Sequence, residues 1–287
     1  MNNLASVHIH ITARGGNQFF QYWTGKYIAD TLNRPFSVHF CENLYLNPDI
    51  YPNLNIPQQI YIPTSRYIDP DCGYYCYADS DDGIIDVNIQ DIIDKHRNTN
   101  IPLFLRFNVE DFKFMRNKQD YVKHLYKRND KYPLLENNKM IIHIRLGDLT
   151  ENFIALQYIF IKGYIKIIKN HTDLDILLVT ENTNHPCIFY IQEELRKIHT
   201  RNVDIIQGSP DDWQYHFDVI ASAKVIIMSH STFSWWAAFL NPFNPTVYAL
   251  ITYDNRCFGT IRNRLFTEDH PDGWNVYNMD TEKFINI

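Results

Sequence analysis

No block of basic residues in the 287-residue sequence is longer than two, and the net charge is −6. That balance excludes a dedicated nucleic-acid binder, which needs a basic stripe along the phosphates. No apolar run approaches the roughly 18 residues that span a bilayer, so no membrane span is expected. The opening stretch MNNLASVHIH lacks a basic segment leading into an apolar run, so no secretory leader is expected either. The five cysteines are scattered. Cys72 and Cys76 lie four apart, but no second ligand pair stands at zinc-site spacing, and a reduced, cytoplasmic setting is the expectation. Also missing are a Walker sequence, a G-x-G-x-x-G turn, a G-x-S-x-G elbow and an H-E-x-x-H helix. There is no internal repeat and no low-complexity tail.

What is present is apolar and aromatic: 45% hydrophobic residues, with 19 Tyr and 18 Phe. A real core can be buried, which excludes global disorder. SVHIHIT (6–12) alternates like a strand, and ARGGNQ (13–18) follows as a glycine loop. FFQYWTGKYIADTLN (19–33) is apolar at helical spacing and stops near Pro35, and PFSVHF (35–40) reads as the next strand. Residues 42–104 show no period that places elements. The stretch 108–128 predicts one helix.

The second half alternates cleanly. Strands are expected at 139–148, 174–182, 203–208, 224–229 and 246–251, with helices at 153–169, 188–198, 209–223 and 233–241. Ser209 would cap the third of these helices, and Pro210 suits its first position. Such alternation implies α/β architecture with parallel, Rossmann-like sheets. Two lobes are expected, residues 1–135 and residues 136–287.

Three polar loops each follow a strand, where open sheets bind ligands. In IIHIRLGD (141–148), alternation puts Ile141, His143 and Arg145 on one face and Ile142, Ile144 and Leu146 on the other. Arg145 at a strand end can clamp a phosphate with its planar fork, or pair internally with Asp148. In SHSTFSWW (229–236), Ser231, Thr232 and Ser234 add hydroxyls to the open amides of a helix start, beyond the one that capping needs. Trp235 and Trp236 read as packing, because AAFL continues their helix. In ARGGNQ, Gly15 and Gly16 let backbone approach a ligand, and Asn17 can bond to it.

Taken in order, RGGNQFFQY, HIRLGD, SHSTFSWWAAFLNP and HPDGW (270–274) resemble the α-1,2-fucosyltransferases of the GDP-fucose-dependent superfamily. That family carries a G-x-GNQ-x-FQ segment, an H-x-RRGD motif, an NSSFSWW-type motif and a late P-x-x-W. The resemblance implies a two-lobed GT-B-like fold and a GDP-sugar donor bound without a metal or other cofactor. It also implies inverting transfer to a glycan hydroxyl. By motif position Arg145 would neutralise the diphosphate with His143 beside it, and Ser231, Thr232 and Ser234 would hold phosphate oxygens. Gly16 and Asn17 would face the substrates from the first lobe. Asp148 and His143 are the candidates for a general base.

Two departures stand out. The family's second arginine is Leu146 here, which leaves the donor sugar open. Where relatives carry an acidic residue in the preceding helix, His216 is aligned, with Asp212 and Asp218 nearby. Two other classes of function remain expectations to weigh. One is a metal-dependent transferase using Asp79 and Asp81 of DSD (79–81). The other is a glycan-binding relative without turnover. Oligomeric state is not readable from the sequence.

Overall fold

The computed structural model describes residues 5–11, 16–40, 75–78, 88–106, 112–126, 139–146, 151–206, 213–228, 231–252 and 270–285. The chain divides into two compact units, Met1–Met115 and Arg116–Ile287.

In the first unit, strand β1 (Val7–Ile11) is followed by helix α1 (Gly16–Thr31) and β2 (Phe36–Phe40). Strand β3 (Tyr75–Ala78), helix α2 (Ile89–His96) and β4 (Leu103–Arg106) come next, with α3 (Phe112–Arg116) at the boundary. The four strands form a parallel sheet in the order β2-β1-β4-β3. Val7, Ile9 and Ile11 alternate into full burial on one face of β1, the face that receives α1. The contact is close: a Cβ at Gly25 would stand 2.9 Å from Cβ of Ile9 and 3.0 Å from Cε2 of Phe36.

Helix α1 stops where its sequence tells it to. Asn33 takes the left-handed conformation (φ 52) that ends helices, and Pro35 follows. The Arg34 side chain then folds inward, donating to the carbonyls of Ile101 (2.9 Å), His96 (2.6 Å) and Thr99. One guanidinium thus satisfies the turn between α2 and β4. Helix α2 itself starts at Asn88, whose side chain accepts from the Gln90 amide, and it buries Ile89, Ile92 and Ile93.

The second unit begins with α4 (Gln119–Leu125) and β5 (Lys139–His143). It continues through α5 (Glu151–Ile168), β6 (Asp175–Val179), α6 (Pro186–Arg196), β7 (Val203–Ile205) and α7 (Trp213–Ile220). Strand β8 (Val225–Met228), α8 (Thr232–Phe239), β9 (Thr246–Ile251), β10 (Asn275–Asn278) and β11 (Lys283–Ile285) complete it. The single helix expected at 108–128 is two, α3 and α4, separated at Asn117–Lys118. A tertiary bond accompanies the break: Gln119 Nε2 donates to the Phe239 carbonyl at 2.8 Å, at the far end of α8.

The sheet order is β11-β10-β9-β8-β5-β6-β7, parallel except for β11 at the edge. The chain steps outward from β5 through β6 to β7, then returns to the other side of β5 as β8. Between β5 and β8 the strand order therefore reverses. Such a switch point opens a crevice at the carboxyl ends of its strands. Met140, Ile142, Ile144 and Leu146 pack with Phe160 and Tyr164 of α5 and with Ile188 and Ile191 of α6. The alternation read from IIHIRLGD is thus realised, and His143 lies on the opposite face. Among the described residues no helix is long and apolar enough to cross a membrane.

Candidate functional site

The residues that end β5 and begin α8 meet at this switch point. Strand β8 delivers the chain to Ser231, which occupies the cap position before α8 in extended conformation (φ −149, ψ 122). A serine there normally turns its hydroxyl onto the helix amides, but Ser231 makes no side-chain cap bond. The closing bond is made one turn on: Ser234, fully buried, donates its hydroxyl to the Ser231 carbonyl at 3.2 Å. Thr232 is buried as well. The three hydroxyls therefore divide their tasks. Ser234 fixes the turn, while Ser231 and Thr232 sit at the helix end, where amides point outward.

From β5, His143 reaches the same place. Its ring lies 5.9 Å from that of Phe233 on α8, and Phe233 in turn meets Phe217 at 5.4 Å and Trp213 at 6.4 Å. Burial pushes the His143 pKa down to about 3, helped by the Arg145 guanidinium and by His216. The imidazole is therefore neutral at neutral pH, and among these groups the permanent cation is Arg145. A base this weak is poorly matched to proton abstraction near pH 7. His216, on α7, is buried, and so is Asp218 two residues on.

Arg145 is half-buried just past the end of β5, between two anchored neighbours. The Ile144 amide donates to the Val179 carbonyl at 2.8 Å, and the Leu146 amide donates to Glu181 Oε1 at 3.0 Å. The Leu146 side chain is buried in the core under α5. That packing is what the exchange of a second arginine for leucine provides.

Gly16 and Asn17, read as loop, form the first turn of α1, at the carboxyl end of β1. There the first sheet has its own reversal, β2 lying to one side of β1 and β4 to the other. Trp274 of HPDGW stacks on His270 (5.7 Å, 22°) and meets Trp235 at 5.7 Å. Trp235 lies flat on Phe239 at 4.6 Å, and both Trp235 and Trp236 are fully buried. The two tryptophan-bearing motifs therefore pack together behind α8. Asp148, Asp212, Ser209, Pro210, Asp79 and Asp81 lie outside the described residues. Among the described residues no three His, Cys, Asp or Glu side chains gather as metal ligands. Glu181 and Phe233 were not singled out from sequence. The signal for Glu181 was the polar end of its strand, VTEN (179–182), and for Phe233 its place inside the hydroxyl cluster.

The model of glycosyl transferase family 11 matches residues 128–269. The chain is a glycosyltransferase. The matched stretch, similar to that family, runs through β5 to β9 and takes in both sides of the switch point. Among curated proteins none matches the chain. A structure of a substituted Arabidopsis thaliana FUT1 in complex with GDP shares the fold of this glycosyltransferase. It superposes with a TM-score of 0.56 at 12% identity, covering 98% of this chain and 78% of that one. POFUT1 in complex with GDP-fucose gives a TM-score of 0.47 at 10% identity, covering 86% and 96%. POFUT1 with GDP gives 0.45 at 12%, covering 85% and 98%. The fold is the GT-B type, with parallel α/β sheets in both units.

Proposed function

We propose that this glycosyltransferase transfers L-fucose from GDP-fucose to a glycan hydroxyl, as an α-1,2-fucosyltransferase of family 11, with inversion and without a metal. The observation that carries the reading is that Arg145 follows β5 and α8 follows β8, the two strands that flank one switch point, with His143 of β5 5.9 Å from Phe233 of α8, inside the stretch that the family model matches. The shared fold of a fucosyltransferase that binds GDP supports the choice of donor.

In the proposed reaction the acceptor oxygen attacks the anomeric carbon while the bond from that carbon to the β-phosphate oxygen breaks. GDP departs with the electron pair, and the acceptor proton passes to a base. Negative charge grows on the leaving diphosphate as the sugar becomes oxocarbenium-like. Arg145, the amides opening α8, and the Ser231 and Thr232 hydroxyls are assigned to that charge. His143, held neutral, positions rather than abstracts, and Asp148 is the proposed base. Gly16 and Asn17 are the first unit's candidates for substrate contact.

The test is thermal unfolding with GDP, UDP, dTDP and CMP, each with EDTA and with Mn²⁺. A ligand at a hundred times its dissociation constant adds about 2.7 kcal/mol, a shift of several degrees in a chain of this size. GDP stabilisation that survives EDTA is expected, and Arg145→Ala should abolish it together with GDP-fucose hydrolysis. Stabilisation by UDP only with Mn²⁺ would overturn the reading and transfer attention to Asp79 and Asp81.

A further inference from the structure

We propose that Glu181 is a positioning residue of the donor site, its carboxylate taking the Leu146 amide and so fixing where Arg145 presents its guanidinium. The proposal rests on the assignment of Arg145 to the diphosphate.

The geometry begins with the ladder between β5 and β6. His143 is registered with Val179, and the Ile144 amide donates to the Val179 carbonyl at 2.8 Å. In a parallel pair the next bond would run from the Leu146 amide to the backbone carbonyl of residue 181. The Leu146 amide goes instead to the Glu181 side chain, Oε1, at 3.0 Å. Beyond Val179 the backbone leaves the ladder, and the side chain of the same residue replaces its own carbonyl. Arg145 is thereby held between two fastened amides, each tied to the end of β6, while the Leu146 side chain is locked in the core.

This arrangement matters for a long flexible side chain. An arginine loses less freedom on binding when its Cα is already immobile, and its contribution depends on placement within a fraction of an ångström. The tie spans 35 residues of sequence and joins two strand ends, so a local contact could not substitute for it.

The experiment is a double-mutant cycle on GDP binding by calorimetry, using the full chain, with thermal unfolding of each variant in parallel. Arg145→Ala is expected to weaken GDP by about a hundredfold and Glu181→Ala by about tenfold, the double variant being no weaker than Arg145→Ala alone within about threefold. Glu181→Gln keeps an acceptor oxygen and should bind GDP within about threefold of wild type. If Glu181→Ala does not fold, Glu181→Asp carries the same test, because its shorter side chain draws back from the amide. The proposal is overturned by multiplicative losses in the double variant, by Glu181→Gln binding as poorly as Glu181→Ala, or by Glu181→Ala binding GDP normally with only a lower unfolding temperature. Normal GDP binding by Arg145→Ala would instead remove the diphosphate assignment, and this proposal with it.

Discussion

Acid should destabilise this protein through His143, and replacing His143 with glutamine should remove that sensitivity. The imidazole is buried on the inner face of β5, and its pKa falls from 6.5 to about 3. Between those values the unfolded chain binds a proton at this residue and the folded chain does not. Stability is therefore complete above about pH 6.5 and declines as pH falls toward about 3. Each pH unit well inside the window costs about 1.4 kcal/mol, so going from about pH 7 to about pH 4.5 removes roughly 2.5 kcal/mol.

The assay is urea unfolding of wild type and His143→Gln at about pH 7 and about pH 4.5, followed by tryptophan fluorescence. Trp213, Trp235, Trp236 and Trp274 all belong to the second unit, so the signal reports chiefly the unit that holds His143. Other titrating groups, His8 among them, are common to both proteins and cancel in the comparison. Wild type should lose about 2–3 kcal/mol more than the variant across the interval. Equal losses would refute the neutral buried imidazole, and with it the assignment of the site's positive charge to Arg145 rather than to His143.

Arg34→Lys should destabilise the first unit by about 2–4 kcal/mol, because one ammonium nitrogen cannot reproduce the fork that reaches Ile101 from Nη1 and His96 and Thr99 from Nη2; chemical unfolding would measure it. Trp274→Ala should cost about 2–3 kcal/mol through the lost contacts with His270 and Trp235. It should also weaken GDP binding, because α8 loses its backing; an unchanged GDP affinity would detach HPDGW from the donor site.

The alternation of strands and helices in the second unit was legible because its strands are buried apolar runs bounded by polar turns. The faces of β5 were legible too, since period two separates His143 and Arg145 from Ile142, Ile144 and Leu146. Three kinds of information were not. Strand β3 has four residues and α2 eight, too short for a period to stand out, although Asn88 before Ile89, Ile92 and Ile93 is a helix start. The break between α3 and α4 accompanies a bond from Gln119 to Phe239, 120 residues away, while the local sequence favours continuing. Glu181 acquires its role from an amide on a neighbouring strand. The hydroxyl cluster is legible as a group, but only the fold assigns the Ser234 hydroxyl to the Ser231 carbonyl.

Gly25 gives the first unit a mechanical property. Helix α1 rests on β1 and β2 at a point where it contributes no side chain of its own, and its first turn, with Gly16 and Asn17, lies nine residues away. At about 1.5 Å per residue that is a lever arm of roughly 13 Å. A methyl group there would meet Ile9 and Phe36 inside van der Waals distance, and the helix or its neighbours would have to shift. How closely the rod that carries Asn17 seats on its sheet is thus governed by a residue with no chemistry of its own.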